Sequence, residues 1–293
     1  RGFNKRIQTS VNSAEGTTTN DVISAQSDGF TVGDNGSTGI DGDTYVAWQW
    51  KANGGTATAT ASESGDNPAY SVQANTDAGF SIVTYTGTGA DTSTVPHGLG
   101  ATPKMIIFKR RDSTTNWIVY HNSLTSASNY LNLNLSDAQK SASNIFDDTA
   151  PTSSVFTLGF SAAVNADGGT FVAYCFAPIQ GYSKFGSYTG NGSTDGAFIY
   201  TGFKPAWLMT KNTQNAAHWH IWDNRRTPFN ANDENLIANT SQAENSAYAV
   251  DFLSNGWKAR VNDEVNNSGQ SFIYMAFAEQ PFVSSEGVPC TAR

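Results

Sequence analysis

Few residues in this chain have the type and spacing to do chemistry. There are four histidines, His97, His121, His218 and His220, and "HWH" at 218–220 puts two imidazoles on one side of an extended strand. With Asp223 they would form the nitrogen and carboxylate set that a divalent metal accepts. The related stretch at 116–118 reads Asn116, Trp117, Ile118, so the favoured reading of the pair is an exposed strand face. "DNGSTGIDGD" at 34–43 gathers Asp34, Asp41 and Asp43 among glycines, as a calcium loop would. It lacks the regular ligand spacing and the closing acidic residue, and is read as a loop without an ion. Glycoside hydrolysis needs two carboxyl groups facing one bond. Asp147 and Asp148 are adjacent and read as a solvated loop, and Glu264 has no evident partner. The "GTG" and "GNG" turns at 87–89 and 190–192 precede no helix with Lys-Ser/Thr, so they are not phosphate loops. No Ser/His/Asp set has a recognisable local context. No catalytic, metal-binding or cofactor-binding residue is assigned, no cofactor is expected, and the chain is read as a non-enzyme.

The elements that would position these residues are strands. Aromatic residues make up 12% of the 293, charged residues only 14%, and there are 27 glycines. β-Branched and aromatic side chains fit a pleated, half-buried surface, while Gly, Asn and Asp supply the turns. The net charge of −8 offers no basic face for phosphates, despite "FKRR" at 108–111, so nucleic acid is not an expected partner. Apolar runs fall well short of the roughly 20 residues that span a bilayer, so no membrane insertion is expected and the chain as read should be soluble. Cys175 falls in a core strand and Cys290 near the end, which argues against a disulfide framework.

The strongest signal is internal repetition. "DGDTYVAWQWKA" (41–52), "DGGTFVAYCFAP" (167–178) and "SGQSFIYMAFAE" (268–279) are variants of one strand. Upstream at fixed spacing, Asp28-Gly29-Phe30 falls on Ser154-Val155-Phe156 and Asn255-Gly256-Trp257. Ile7, Leu131 and Leu236 also match, each followed by a capping-box pattern, Asn12 with Glu15, Ser136 with Gln139 and Ser241 with Glu244, which predicts a short helix. "YTGTG" (85–89) answers "YTGNG" (188–192), Lys109 answers Lys211, and "WIVYHN" (117–122) answers "WHIWDN" (219–224). One face of the repeated strand carries Val46, Trp48, Trp50, then Val172, Tyr174, Phe176, then Ile273, Met275, Phe277; the other is smaller but mostly apolar. A strand apolar on both sides is central and covered. Trp117 and Trp219 sit at equivalent places, and the seven tryptophans, Trp207 and Trp222 among them, are read as core before ligand platforms.

This predicts an all-β chain of tandem antiparallel, jelly-roll-like β-sandwich repeats of about 100 residues, each with one short helix. Residues 1–52 are the back half of a first repeat, 53–78 a surface linker, 79–181 a second repeat, 182–283 a third and 284–293 a tail. A half-sandwich leaves core strands without partners, so the polypeptide is expected to extend beyond Arg1, or another segment to complete the unit.

The quoted fragments, with "VPHGLGATPKMIIFKRR", "FVAYCFAPIQGYSKFGSYTGNGS", "AFIYTGFKPAWLMTKN", "DFLSNGW", "IYMAFAEQPF" and the ending "SSEGVP", resemble the repeated domain of unknown function found in tail and other virion proteins of marine bacteriophages. The resemblance covers nearly the whole chain and implies a virion structural protein, a tail fibre or appendage component assembled in the host cytoplasm. It implies other virion proteins as partners, a homo-oligomer that is trimeric by analogy with fibres, and attachment to the host surface. It assigns no receptor-binding residue. The rival readings are a host-glycan-binding module, with exposed aromatic rings above polar loops, and a glycan depolymerase, with carboxylates converging in one cleft.

Overall fold

The computed structural model describes residues 2–27, 29–279 and 281; Asp28, Cys290, the "SSEGVP" segment and the tail at 284–293 lie outside the described residues. The fold is all-β, built of antiparallel sheets, with two helices of one turn each among the described residues.

The N-terminal segment holds two short ribbons, β1 (Lys5–Arg6) with β2 (Gly16–Thr17) and β3 (Val22–Ala25) with β4 (Phe30–Val32). The chain continues through β5 (Ala59–Ala61), β6 (Ala69–Asn75), β7 (Phe80–Thr86), β8 (Ser93–Pro96), β9 (Met105–Arg110), β10 (Ile118–His121), β11 (Asn129–Asn132), β12 (Lys140–Ser141), helix α1 (Ser143–Phe146), β13 (Val155–Leu158), helix α2 (Ala162–Asn165) and β14 (Thr170–Phe176). β8 and β13 pair as a ribbon, and the others from β5 onwards form one sheet in the order β12-β11-β10-β9-β14-β7-β6-β5. The last part runs through β15 (Ser183–Thr189), β16 (Phe198–Tyr200), β17 (Pro205–Asn212), β18 (Trp219–Asp223), β19 (Leu236–Ile237), β20 (Val250–Leu253), β21 (Gly256–Ala259) and β22 (Ser271–Ala278). It forms a five-stranded sheet, β15-β22-β17-β18-β19, and a three-stranded one, β16-β21-β20.

β14 is apolar on both sides because it is enclosed on both edges and both faces. It pairs with β7 and β9; Phe171, Ala173 and Cys175 enter a core with Tyr85, Phe108 and Phe156 under the β8–β13 ribbon. β22 is placed alike between β15 and β17, and Phe272, Tyr274 and Ala276 meet Tyr188, Trp222 and Trp257 under the three-stranded sheet. Each half is thus sandwich-like with unequal layers, a broad sheet and a narrow cover. The opposite faces of both broad sheets enter a third cluster that they share with Ile7, Trp48 and Trp50. Each large side chain buried there contributes roughly 1.5–3 kcal/mol relative to exposure.

Three expectations are corrected. The segment 43–50 is not a strand, although Val46, Trp48 and Trp50 do alternate inward as predicted; it has no regular secondary structure and joins no ladder. The capping-box segments are not helical, because their backbone groups are bonded to the segment that follows. Thr115 N–H donates to Asn12 O (3.0 Å) and Glu15 N–H to Arg111 O (2.7 Å), while Ala217 N–H donates to Ser136 O (2.8 Å) and Gln139 N–H to Thr213 O (2.9 Å). A backbone group bonded outward has none left for a helix turn. The segment at 241–244 is irregular as well. The helices lie instead at α1, whose N-cap Ala142 makes no side-chain cap, and at α2, where Ser161 accepts from Ala163 N–H. Finally, 53–78 is not a free linker: it carries β5 and β6, and β6 pairs along the whole of β7. Tyr70, Val72 and Ala74 face the core there between polar neighbours, a period that the surrounding Ser, Asn and Gly mask. The turn into β7 needs Gly79 (φ +61°), where a Cβ would stand 2.2 Å from Ala177 O.

Candidate functional site

The shared cluster is where the chain brings its repeated positions together. Trp50, Phe176 and Phe277 close "VAWQW", "VAYCF" and "IYMAF". Their rings meet edge to face in a triangle, with centroids 6.3 Å apart for Trp50–Phe176, 5.4 Å for Trp50–Phe277 and 6.2 Å for Phe176–Phe277. Aromatic pairs favour such T-shaped contacts, worth about 0.5–1.5 kcal/mol beyond the area they bury. Trp207 touches both Trp48 and Trp50, at 6.1 and 5.4 Å.

Around this centre the same fastening occurs twice. Lys109 near the end of β9 is fully buried, and its Nζ donates to Asn12 O (3.2 Å) and Thr115 O (2.9 Å). Lys211 near the end of β17 is also buried, and its Nζ donates to Ser136 O (3.1 Å) and Asn212 O (2.7 Å). Trp117 Nε1 donates to Gln8 O (3.0 Å) and Val11 O (3.2 Å), and Trp219 Nε1 to Asn132 O (3.0 Å). Each time a lysine and the tryptophan eight positions on hold carbonyls of the preceding segment. Arg111 adds a two-pronged contact to Glu15, with both N···O distances 3.1 Å. Burial pushes both ammonium groups down to about 8, against the nearby Asp112 for Lys109 and Glu264 and Asp137 for Lys211. Such lysines are costly to enclose, and the carbonyl bonds offset that cost. A lysine matched by a lysine within apolar strands is the local signal of this contact, while the partner carbonyls come from segments far along the chain.

The histidines are not brought together with Asp223, and the exposed-face reading of "HWH" is corrected. His220 is buried, stacked on Trp222 (5.7 Å) and against Tyr248 (4.4 Å), with Asn235 Nδ2 2.8 Å from its Nδ1. His218 Nδ1 lies 3.0 Å from Asn239 Nδ2. Glu264 accepts from Tyr248 Oη (2.9 Å) and from the His218 backbone N–H, and stands 3.8 Å from His220 Nε2. Burial opposes ionisation of Glu264, yet the donors around it prevail and bring its carboxyl down to about 2. Burial lowers His220 despite that carboxylate. Asp223 is engaged elsewhere, with Arg226 Nε (2.6 Å), the backbone N–H of Arg225 and the indole of Trp48 (3.3 Å). His97 and His121 are both buried: each Nδ1 accepts a backbone N–H two residues on, and each Nε2 faces a carbonyl, that of Thr152 (3.2 Å) and of Tyr274 (3.3 Å). Burial lowers both, His121 to about 4. Among the described residues no group of three His, Cys, Asp or Glu side chains is arranged to hold a metal ion.

The remaining candidates are scattered. Asp34 accepts from Asn20 Nδ2 (2.7 Å), and Asp41 and Asp43 are exposed. Asp147 and Asp148 form a left-handed turn, and Asp147 accepts from Thr92 Oγ1 (3.0 Å). The two Gly turns close sheet ends: Asn165 Oδ1 accepts from Thr88 N–H (3.0 Å) and Asn266 Oδ1 from Asn191 N–H (3.1 Å). Gly87 and Gly190 pass so close to the facing loop that a Cβ would lie 2.4 Å from Ala166 O and 2.3 Å from Asn267 O. Trp117, Trp207, Trp219, Trp222 and Trp257 are buried. The exposed rings among the described residues are instead Phe3, Phe30, Tyr45, Phe160, Phe198, Tyr200 and Phe229; Lys184 Nζ sits 4.8 Å over the Tyr200 ring, beside an open depression of about 440 Å³. No described helix is long and apolar enough to cross a membrane.

An antiparallel β-protein with two sandwich-like halves around a shared aromatic centre is the class these features define. The profile of a family described as "Domain of unknown function (DUF7483)" matches residues 1–281, and the chain belongs to that family. No curated protein and no solved structure matches it.

Proposed function

We propose that the chain is a non-catalytic structural component built from copies of one β module of about 100 residues, 79–181 and 182–283, with 1–52 a partial copy. The observation that carries this reading is the doubled fastening, in which Lys109 with Trp117 and Lys211 with Trp219 each hold the carbonyls of the segment before them. Equal registers support it: Thr170 faces Thr86 and Phe171 faces Tyr85 as Ser271 faces Thr189 and Phe272 faces Tyr188. Tyr85 Oη to Val164 O (2.6 Å) is likewise repeated by Tyr188 Oη to Val265 O (2.7 Å). Units that join by a reused contact give reach and many weak attachment points.

The setting proposed, from the sequence resemblance, is the bacteriophage virion, as a tail fibre or appendage component that assembles with other virion proteins, as a homotrimer, and meets the host surface. Labelled antibody against this chain, imaged on assembled particles, tests that placement: decoration of an appendage is expected, and a chain absent from purified particles would end it. A second reading, binding of a host glycan, is favoured by the exposed Phe198 and Tyr200 rings beside Lys184. Stacking of sugar rings there predicts signal on a glycan array that Tyr200→Ala removes.

A further inference from the structure

The partial module leaves a core face bare. Phe30, Val32 and Tyr45 are 37%, 41% and 49% exposed, while the residues at the same places are covered: Phe156 1%, Leu158 0% and Phe171 0% in one module, Trp257 0%, Ala259 1% and Phe272 0% in the other. Seven of the eleven exposed large apolar side chains among the described residues fall between Phe3 and Tyr45. The strand that ends each module is bonded on both edges, β14 by β7 and β9, β22 by β15 and β17, yet 44–50 has neither neighbour. Apolar side chains left exposed at positions that are covered in the other two copies are the mark of a face with a missing partner.

A third fastening is also half-built. Ile237 and Ser241 correspond to Asn132 and Ser136, because Ile221 pairs with Leu236 as Val119 pairs with Leu131, and Asn239 Oδ1 accepts from Trp219 N–H as Asn134 Oδ1 does from Trp117 N–H. Asn132 and Ser136 hold the tryptophan and lysine of the next module; Ser241 is exposed. The bare face stands beside this open loop's own sheet, since Trp48 donates to Asp223 and packs on Trp207.

Resting on the repeat reading, we propose that the bare face of residues 3–50 and the open loop at 237–241 together seat one polypeptide segment of the module's front-half pattern, that of 183–224. Its first and third strands would bond the two edges of 44–50, its apolar side chains would cover Phe30, Val32 and Tyr45, and its lysine and tryptophan would take the carbonyls of Ser241 and Ile237. Three modules would then surround the Trp50–Phe176–Phe277 triangle, each holding the next, a closed heterologous ring.

The probe is this chain's own segment 182–235, added as a separate polypeptide to the full 293-residue protein, with hydrogen exchange read at the amides of 44–50. Exchange should slow at least about tenfold on addition, as for amides drawn into a ladder. Tyr45→Asp in the full chain, and Lys211→Met with Trp219→Ala in the added segment, should each weaken the effect at least about tenfold. To guard against a segment that aggregates, the same 182–235 sequence is also fused ahead of residue 1, where protection should appear without addition. Unprotected amides in both formats would overturn the proposal. So would protection in the unmixed chain that rises with concentration alongside a dimer, which would make a second copy the occupant. The repeat reading fails separately, if Lys109→Met and Lys211→Met in the full chain affect unrelated regions of exchange.

Discussion

Trp50 lies edge-on to Phe277 at 5.4 Å, and both touch Phe176, so three positions that the sequence writes alike are neighbours in space. This triangle makes the interior between the sheets an ordered core, with rings in their preferred contact geometry. It also means that 1–52, poor in ladders of its own, is held by what it inserts.

Phe277→Ala should destabilise the protein by about 3–5 kcal/mol, because a buried ring is lost and a cavity remains. Trp50→Ala should cost less, since that ring is only half-buried. Combined, the two should fall short of additivity by roughly 0.5–1.5 kcal/mol, the coupling of one aromatic pair, as read from urea midpoints.

Lys211→Met should destabilise by about 1–3 kcal/mol, because the ammonium bonds to the carbonyls of Ser136 and Asn212 are lost, Ser136 O keeping only the Ala217 N–H, while the methyl-bearing chain keeps the volume. The loss should show as faster hydrogen exchange at 132–139 and at 211–219 together, on both sides of the junction.

Acid should weaken the fold in two stages. His97, His121 and His220 titrate below their unfolded value of 6.5, His121 near 4. The unfolded chain therefore binds more protons, and stability falls as pH drops from about 6.5 towards 4. Glu264, held near 2 against 4.5 unfolded, contributes stability that is present above pH 4.5 and lost between there and about 2. Urea midpoints at pH 7, 5 and 3 should decline in that order, and His121→Gln should flatten the first stage.

Cys175 is buried, and burial pushes its thiol up to about 12. A thiolate is the reactive form. Peptide mapping after treatment with a maleimide should find Cys175 unlabelled in native buffer and labelled in denaturant.

How much of this the residues disclosed depended on whether a signal was local. The repeated strands β14 and β22 were legible inside 167–178 and 268–279, because apolar alternation behind a Gly turn marks them. The face bearing Val46, Trp48 and Trp50 was legible too, but not that 44–50 would lack a ladder, which depends on neighbours contributed by other segments. Asn12–Glu15 and Ser136–Gln139 look like helix caps because the pattern is four residues long; a lysine far along the chain takes Asn12 O and Ser136 O instead. β6 was hidden by composition, with Tyr70, Val72 and Ala74 its only inward side chains. His220 looked exposed because Tyr248 and Glu264, which cover it, come from distant loops.

Equilibrium unfolding in urea, followed at once by tryptophan fluorescence and by hydrogen exchange resolved along the chain, tests most directly whether the two halves share one core. One coincident transition is expected for 80–176 and 183–278, with the protection of 5–50 lost at the same midpoint. Separate midpoints for the two halves, with 5–50 released before either, would contradict a shared core.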